Sequence, residues 1–343
     1  MKLLITTQIV DQNDSNLGFF HKWIEEIAKN VDKLTVVCLF AGEYDLPDNV
    51  TVLSLGKEKK ISRLQYLCRF YKYIFSECKN YDHVFVHMNP EYVVLGGIFW
   101  RLWRKKILFW YTHKAVNLKL RLAEKLATKI FTASKESFRL PSKKLEIVGH
   151  GIDVDFFTSS GVSSDNTISL LSVGRISPIK DLETVILACN ELIKKNPERK
   201  IRLNIVGEPI TTIDFEYKKI LEELIEKLRL SQYVKFVGSR TYKQMACEYH
   251  QNNILIHSSK TGSVDKVVLE ALAAGLVVFS SSEAYNMFEN FIKRFPQNDF
   301  GTLADSLEKM FQVGIIGHNQ KAIAFVGEHF SLNTAIDKIV GYF

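Results

Sequence analysis

The chain has 343 residues, of which 46% are hydrophobic and 24% charged, a composition typical of globular proteins and a length sufficient for two domains. Its five cysteines are scattered without a C-x-x-C pair, which argues against a disulfide framework or a zinc site and favours a reduced, cytosolic protein. No apolar run reaches the roughly 18 residues that cross a bilayer, so we expect no membrane span. The net charge of +7 predicts an anionic partner.

Short β-branched runs alternate with helical patterns through the first half, which predicts an α/β domain with a parallel sheet. The predicted strands are 2–7, 34–40, 83–87, 107–111, 129–133 and 145–149, and the predicted helices are 18–29, 61–78 and 117–128. A polar stretch, TSSGVSSDNT at 158–167, then predicts a linker.

A second α/β series follows the linker. Its predicted strands are 168–173, 201–207, 234–238, 253–258 and 276–281, and its predicted helices are 181–195, 214–229, 242–250, 266–274 and 302–312. The pattern predicts two Rossmann-like domains, 1–160 and 161–324, with a ligand between them at the carboxyl ends of the strands. A final helix at about 325–343 is expected to pack on the first domain, because its apolar residues have helical spacing.

The stretch SVGRISPIKDLET joins a predicted strand that ends at Val173 to a helix that begins near Asp181. Free N–H groups at a helix start bind anions, and this turn adds Arg175 and Lys180 beside Gly174. Two cations there suit a diphosphate. The alternative is a pair of solvated surface cations.

Two later motifs fit the same site. Gly207 closes the next predicted strand, and TGSVDKVVLEALAAG places Glu270 in the first turns of a helix. A carboxylate cannot assist phosphate binding, but it suits a vicinal diol such as a ribose. The alternative is that Glu270 is an ordinary acid on a helix surface.

The order of GRISPIKD, IVGEP, VKFVG, LIHSS and VVLEALAAG resembles the nucleotide-sugar domain of glycosyltransferase family 4, whose members are retaining enzymes of the GT-B fold. The resemblance implies that Arg175 and Lys180 hold the diphosphate as leaving group and that Glu270 holds the ribose. It also implies that His113 lies near the donor sugar and that Gly18 gives backbone room between the domains. Cations and helix N-termini fixed at the leaving group allow catalysis without a metal, and we expect no separate cofactor.

One position departs from the family pattern. The family commonly has a second glutamate eight positions before Glu270, and this chain has Gly262 there. The backbone N–H groups of Ser263 and Val264 are expected to face the donor at the helix start. Asp265 and Lys266 are the polar candidates for the missing contact with the sugar.

Polar residues in the first half predict an acceptor side. His87 and Asn89 lie in HMNPEY after one predicted strand, and His113 follows another in FWYTHK. Both strands are expected to end at the ligand. A lone histidine after a strand is also often structural, and we take His150, near the linker, to be structural.

The region 57–144 carries 20 Lys and Arg against six Asp and Glu. Its helix at 61–78 has an amphipathic stripe, flanked by cations and aromatic residues, that suits anionic lipid headgroups. The alternative is that the stripe faces the domain core and the cations are solvated. No motif supports binding of nucleic acid.

The sequence therefore predicts a retaining glycosyltransferase that moves a sugar from a nucleotide diphosphate, UDP or GDP being expected, to a lipid-linked or cell-surface glycan. Such a role in polysaccharide biosynthesis places the protein in the cytoplasm or at the inner face of the plasma membrane. Two alternatives remain open: a nucleotide-sugar epimerase of the same fold, and a noncatalytic protein that binds nucleotide sugars.

Overall fold

The computed structural model describes residues 1–158, 167–260, 262, 264–313 and 319–343, with the backbone alone at 286, 287 and 313. The chain divides into two compact units. Unit 1 combines Met1–Gly151 with Phe330–Phe343, and unit 2 is Ile152–His329. Most of the predicted linker, and the boundary predicted between 160 and 161, lie outside the described residues.

Unit 1 contains a seven-stranded parallel sheet in the order β3-β2-β1-β4-β5-β6-β7. The strands are β1 (Lys2–Val10), β2 (Lys33–Ala41), β3 (Val50–Ser54), β4 (His83–His87), β5 (Lys106–Trp110), β6 (Lys129–Thr132) and β7 (Leu145–Ile147). Successive strands are added toward one edge of the sheet up to β3 and toward the other edge from β4 onward. This change between β1 and β4 creates a crevice at their carboxyl ends.

The main helices of unit 1 pack on both faces of this sheet. They are α1 (Phe19–Ala28), α2 (Arg63–Ser76), α3 (Pro90–Leu102) and α4 (Leu118–Leu126). Helix α3 was not predicted, because its apolar run lacks a clear period of 3.6 residues. It lies so close to α4 that a Cβ on Gly97 would stand 3.0 Å from Leu126.

Unit 2 contains a six-stranded parallel sheet in the order β10-β9-β8-β11-β12-β13. The strands are β8 (Ile168–Val173), β9 (Ile201–Val206), β10 (Val234–Gly238), β11 (Ile254–His257), β12 (Val277–Ser280) and β13 (Ile292–Arg294). In this sheet the order in which strands are added changes sides between β8 and β11. The turn after β8, which is predicted to bind the ligand, therefore lies at the topological switch point.

The helices of unit 2 complete a doubly wound α/β unit. They are α5 (Val154–Phe157), α6 (Leu182–Lys195), α7 (Thr212–Lys227), α8 (Tyr242–His250), α9 (Lys266–Ala273), α10 (Phe300–Val313) and α11 (Gln320–Phe330). The predicted class of two Rossmann-like units is confirmed. None of the helices in the described residues combines the length and apolar character that a membrane span needs.

The prediction of a final helix at 325–343 is wrong about where that helix begins. The segment is broken at Ser331, whose side chain accepts the N–H of Thr334 at 3.2 Å and caps a new helix, α12 (Leu332–Val340). Residues 325–329 belong to α11 of unit 2. Helix α12 packs against α1 in the core of unit 1, as the prediction had it.

Candidate functional site

The turn that follows β8 lies directly against the end of β9. Gly174 donates its N–H to the carbonyl of Val206 at 3.0 Å, and Gly207 donates to the carbonyl of Gly238 at 2.9 Å. A Cβ on Gly207 would stand 1.9 Å from the carbonyl oxygen of Gly174, so no larger residue fits there. The two strand ends are thereby held in contact at the switch point of unit 2.

Lys180 is anchored within this turn. It ends a short 3-10 turn, and its carbonyl oxygen accepts the hydroxyl of Ser258 at 2.6 Å, which ties the turn to the end of β11. The side chain is 19% exposed, and its Nζ lies 2.6 Å from Oδ2 of Asp265. A small cavity of about 10 Å³, lined by Gly174, Lys180 and His257 among others, opens beside it.

Arg175 is held more loosely. Its side chain is 45% exposed, and Nε lies 3.7 Å from Oδ2 of Asp214. Asp214 is buried and caps α7 by accepting the N–H of Thr211 at 3.0 Å. Hydrogen bonds from Thr211 hold the pKa of Asp214 below its ordinary value, against the opposing effect of burial. Both predicted cations therefore lie in one turn, each beside a carboxylate.

Asp265 stands immediately before α9 and gathers several partners. Its Oδ2 accepts a hydrogen bond from Nζ of Lys180 and lies 2.9 Å from Nε2 of His257. Its backbone N–H donates to the hydroxyl of Tyr285 at 2.6 Å. Burial raises the pKa of Asp265, but the hydrogen bond from His257 and the charge of Lys180 outweigh it, and the net pKa lies well below the ordinary value. The carboxylate thus has protein partners, and its contact with a sugar stays a prediction.

Glu270 is 6% exposed, so the alternative of a surface acid is wrong. Its Oε2 accepts the hydroxyl of Tyr249 at 2.9 Å, and its Oε1 lies 3.8 Å from Nζ of Lys266. Burial raises the pKa of Glu270 and lowers the pKa of Lys266 to about 8. The ammonium of Lys266 also lies 5.5 Å from the ring of Tyr242.

The segment between β11 and α9 is described in part. Gly262 has a φ of +58°, in the left-handed region that favours glycine, and Val264 is buried. Ser263 lies outside the described residues. The predicted roles of these backbone groups stay predictions.

In unit 1, His87 and Asn89 come together at the crevice between β1 and β4. Nδ1 of His87 lies 3.0 Å from the hydroxyl of Thr7, and the buried ring stacks on Phe20 with centroids 3.7 Å apart. The side-chain oxygen of Asn89 accepts from Gln8 at 3.0 Å. Both contacts bind the end of β4 to β1.

Gly18 and His113 make local contacts. A Cβ on Gly18, the residue before α1, would stand 2.5 Å from the carbonyl oxygen of Asp14 in its own loop. His113 is exposed in the loop after β5, and its Nδ1 accepts the N–H of Ala115 at 3.1 Å. Their predicted roles toward donor and acceptor stay predictions.

Residues 153–311, which include every site residue of unit 2 described above, match the family model of the glycosyl transferases group 1. Over this stretch the chain is similar to the group 1 glycosyl transferases. The resemblance predicted from the sequence is confirmed.

Known proteins extend the likeness. A D-inositol 3-phosphate glycosyltransferase of Corynebacterium urealyticum is 27% identical over 158 residues, which are 43% of this chain and 37% of that protein's length. The Anabaena protein HepE, solved with UDP, has a TM-score of 0.74 at 18% identity and covers 100% of this chain and 99% of its own. The UDP-GlcNAc 2-epimerase of Methanocaldococcus jannaschii has a TM-score of 0.61 at 15% identity over 100% of both chains. The predicted GT-B fold is confirmed.

Sequence reasoning missed His257 in this glycosyltransferase domain. The residue is buried at the carboxyl end of β11, beside the switch point. The available signal was its place in LIHSS, since the last residue of a central strand projects toward the ligand edge of a parallel sheet. Tyr249 and Tyr285 were also missed, because their partners lie 21 and 20 positions away in the chain.

Among the described residues, no group of three His, Cys, Asp or Glu side chains is placed so that it could hold a metal ion. Asp153 and Asp155 lie two positions apart, and Asp153 caps α5 by accepting the N–H of Phe156 at 3.3 Å. The predicted independence of a metal stays a prediction.

Proposed function

We propose that the protein is a retaining glycosyltransferase that moves a sugar from a nucleotide-diphosphate sugar to an acceptor hydroxyl without a metal. As the anomeric C–O bond breaks, positive charge develops on the sugar and negative charge on the diphosphate. Fixed cations and helix N-termini beside the leaving group then stabilise the transition state. The carrying observation is the anchored Lys180 at the carboxyl end of β8, within the matched glycosyltransferase domain.

The same turn supports a division of labour for the donor. Lys180 and Arg175 hold the diphosphate, and Glu270, oriented by Tyr249, accepts hydrogen bonds from the ribose hydroxyls. UDP is the first nucleotide to test, because HepE was solved with it. GDP is the second, in line with the expectation from the sequence.

For the acceptor we propose a lipid-linked or cell-surface glycan reached at an anionic membrane surface. Unit 1 exposes large apolar side chains beside its basic residues, with Leu64 69% and Leu102 73% exposed. Helix α2 also has two buried residues, Phe70 and Ile74, and because Ile74 belongs to the predicted stripe, part of that stripe faces the core. Exposed apolar groups with nearby cations suit the interface of an anionic bilayer.

A thermal-shift screen of UDP- and GDP-sugars tests the donor. A ligand at 100 times its dissociation constant raises the free energy of unfolding by about 2.7 kcal/mol. We expect one nucleotide class to raise the melting temperature and the variant carrying Lys180→Ala and Arg175→Ala to lose that shift. If no nucleotide sugar or free nucleoside diphosphate stabilises the protein, the proposal fails.

An epimerase is the second candidate, because the fold is shared with the UDP-GlcNAc 2-epimerase. The stabilising donor alone discriminates the two reactions. An epimerase converts the sugar without an acceptor, whereas a transferase releases it slowly to water or keeps it intact until an acceptor is added. A noncatalytic protein would bind the donor and turn it over in neither assay.

A further inference from the structure

One carboxylate oxygen in unit 2 is shared by two basic side chains. Oδ2 of Asp265 lies 2.6 Å from Nζ of Lys180 and 2.9 Å from Nε2 of His257. The three side chains are only 20%, 19% and 2% exposed, so water screens their charges weakly. Lys180, the proposed phosphate ligand, therefore already has a counterion inside the protein.

This counterion conflicts with an incoming diphosphate. An ammonium satisfied by Asp265 at 2.6 Å must leave it or share it to bind phosphate oxygens. The carboxylate is then left in a half-buried place, close to a second anion of like charge. An uncompensated carboxylate there is unfavourable, so a positive charge has to arrive with the donor.

His257 has the geometry to supply that charge. Its other nitrogen, Nδ1, lies 3.0 Å from the hydroxyl of Ser280, which also accepts the N–H of Ser282 at 3.2 Å. A serine hydroxyl donates to a neutral ring nitrogen and accepts from a protonated one. His257 can therefore gain a second proton without losing either hydrogen bond of its ring.

We propose that the donor's diphosphate displaces Asp265 from Lys180 and that His257 takes up a proton to remain the counterion of Asp265. The inference rests on the proposed function. No covalent bond between heavy atoms changes: one proton moves from solvent to Nδ1 of His257, which becomes an imidazolium and donates to Ser280.

The surroundings of the ring fit both states. Burial lowers the pKa of His257, and Lys180 lowers it further against the opposing effect of Asp265, so the ring is neutral at pH 7 without donor. Withdrawal of the Lys180 charge and arrival of the diphosphate both favour the imidazolium. A further titratable neighbour is Tyr285, whose ring meets His257 edge-on with centroids 5.5 Å apart and whose pKa is raised by burial, so it stays neutral.

Calorimetry in two buffers of different ionisation enthalpy measures the proton directly. UDP and GDP are titrated into the full chain at pH 7, and the difference in observed enthalpy gives the protons taken up per ligand. Because a terminal phosphate titrates near pH 6, the readout is wild type minus His257→Gln. We expect the wild type to take up about half to one proton more than His257→Gln.

Asp265→Asn supplies the second arm. It removes the internal competitor, so we expect the nucleoside diphosphate to bind about tenfold more tightly and the extra proton uptake to disappear. Asp305→Asn is the matched control, because Asp305 lies on α10 and is an exposed partner of Lys195. This variant should behave as wild type.

The outcomes separate the two proposals. Binding with equal proton uptake in wild type and His257→Gln overturns this inference and leaves the proposed function standing. Weaker binding by a folded Asp265→Asn also overturns it. If neither UDP nor GDP binds the wild type, the proposed function fails, and the inference fails with it.

Discussion

Lys180 and Arg175 share one turn but differ in how firmly the protein holds them. Lys180 is anchored through its carbonyl to Ser258 and its side chain is 19% exposed, whereas the side chain of Arg175 is 45% exposed beside Asp214. A preoriented charge loses less freedom on binding than a mobile one. Lys180 should therefore contribute more to diphosphate binding than Arg175.

Single substitutions test this ranking. We expect Lys180→Ala to weaken binding of the stabilising nucleoside diphosphate by about 30- to 100-fold and Arg175→Ala by about tenfold, as for charge-assisted hydrogen bonds of unequal quality. Lys195→Ala, which removes a cation from α6 that pairs with Asp305, is the control and should bind as wild type. Equal affinities of all three variants in calorimetry would refute the assignment of the anion site.

The buried pair of Lys266 and Glu270 should appear in the pH dependence of stability. The pKa of Lys266 falls from 10.5 to about 8 in the folded protein, so between pH 8 and 10.5 the unfolded chain binds more protons. The free energy of unfolding therefore rises with pH through that window.

Other groups titrate in the same range, and the isosteric variant Lys266→Met isolates the contribution. Urea unfolding at pH 8 and pH 10 should give the wild type a larger gain than Lys266→Met, by about 1 to 2 kcal/mol. Identical gains in both proteins would show that Lys266 titrates normally.

At the residue scale the sequence singled out residues that the structure brings into one turn and the adjacent helix start, but it did not predict their contacts with each other. Arg175, Lys180 and Asp265 could be named because each stands next to a predicted strand end or helix start. The pairing of Lys180 with Asp265 spans 85 positions, and no local pattern encodes it. His257 was missed because a buried histidine in an apolar strand is ordinarily structural.

At the scale of elements, prediction succeeded where a pattern had its proper period and clear ends. The predicted strand at 168–173 agrees with β8, and the helix at 242–250 agrees with α8, which Thr241 caps by accepting the N–H of Gln244. Prediction failed for α3, because its apolar residues show no helical period in the sequence. It also failed for the short edge strands β3 and β13. Edge strands need only half-buried sequences, which resemble loops.

Helix α12 gives an element-scale prediction. Ile339 is fully buried against the α1 side of the unit 1 core. We expect Ile339→Ala to lower the free energy of unfolding by about 2 to 5 kcal/mol, through lost burial and the cavity left behind. Lys338→Ala, its neighbour on the same helix, should change it by less than about 0.5 kcal/mol. Urea unfolding followed by circular dichroism measures both, and similar small losses would mean that α12 is not part of the core.

At the scale of the whole molecule, positive charge is concentrated in unit 1. The region 57–144 carries 20 basic and six acidic residues, while the whole chain has a net charge of only +7. Each cation near an anionic surface contributes about 1 kcal/mol of attraction, and salt weakens it. The concentration of charge therefore predicts salt-sensitive binding to anionic vesicles through unit 1.

Flotation with phosphatidylserine vesicles tests this surface. We expect the wild type to float at low salt, and Lys72→Glu with Arg104→Glu, two exposed positions in unit 1, to reduce the bound fraction by about tenfold or more. The control is Lys219→Glu with Lys227→Glu on α7, which makes the same charge change in unit 2. Equal loss in both double variants would indicate general electrostatics rather than a surface on unit 1.

The break at Ser331 has a consequence for how the chain is made. Unit 1 is completed by α12, yet all of unit 2 lies between α12 and the strands it covers. At a ribosomal rate of about 5 to 20 residues per second, the first part of unit 1 waits roughly ten to thirty seconds with the α1 side of its core uncovered. A chaperone that shields apolar surface during translation should therefore raise the yield of soluble protein more for chains truncated before residue 331, whose core stays exposed, than for the full chain.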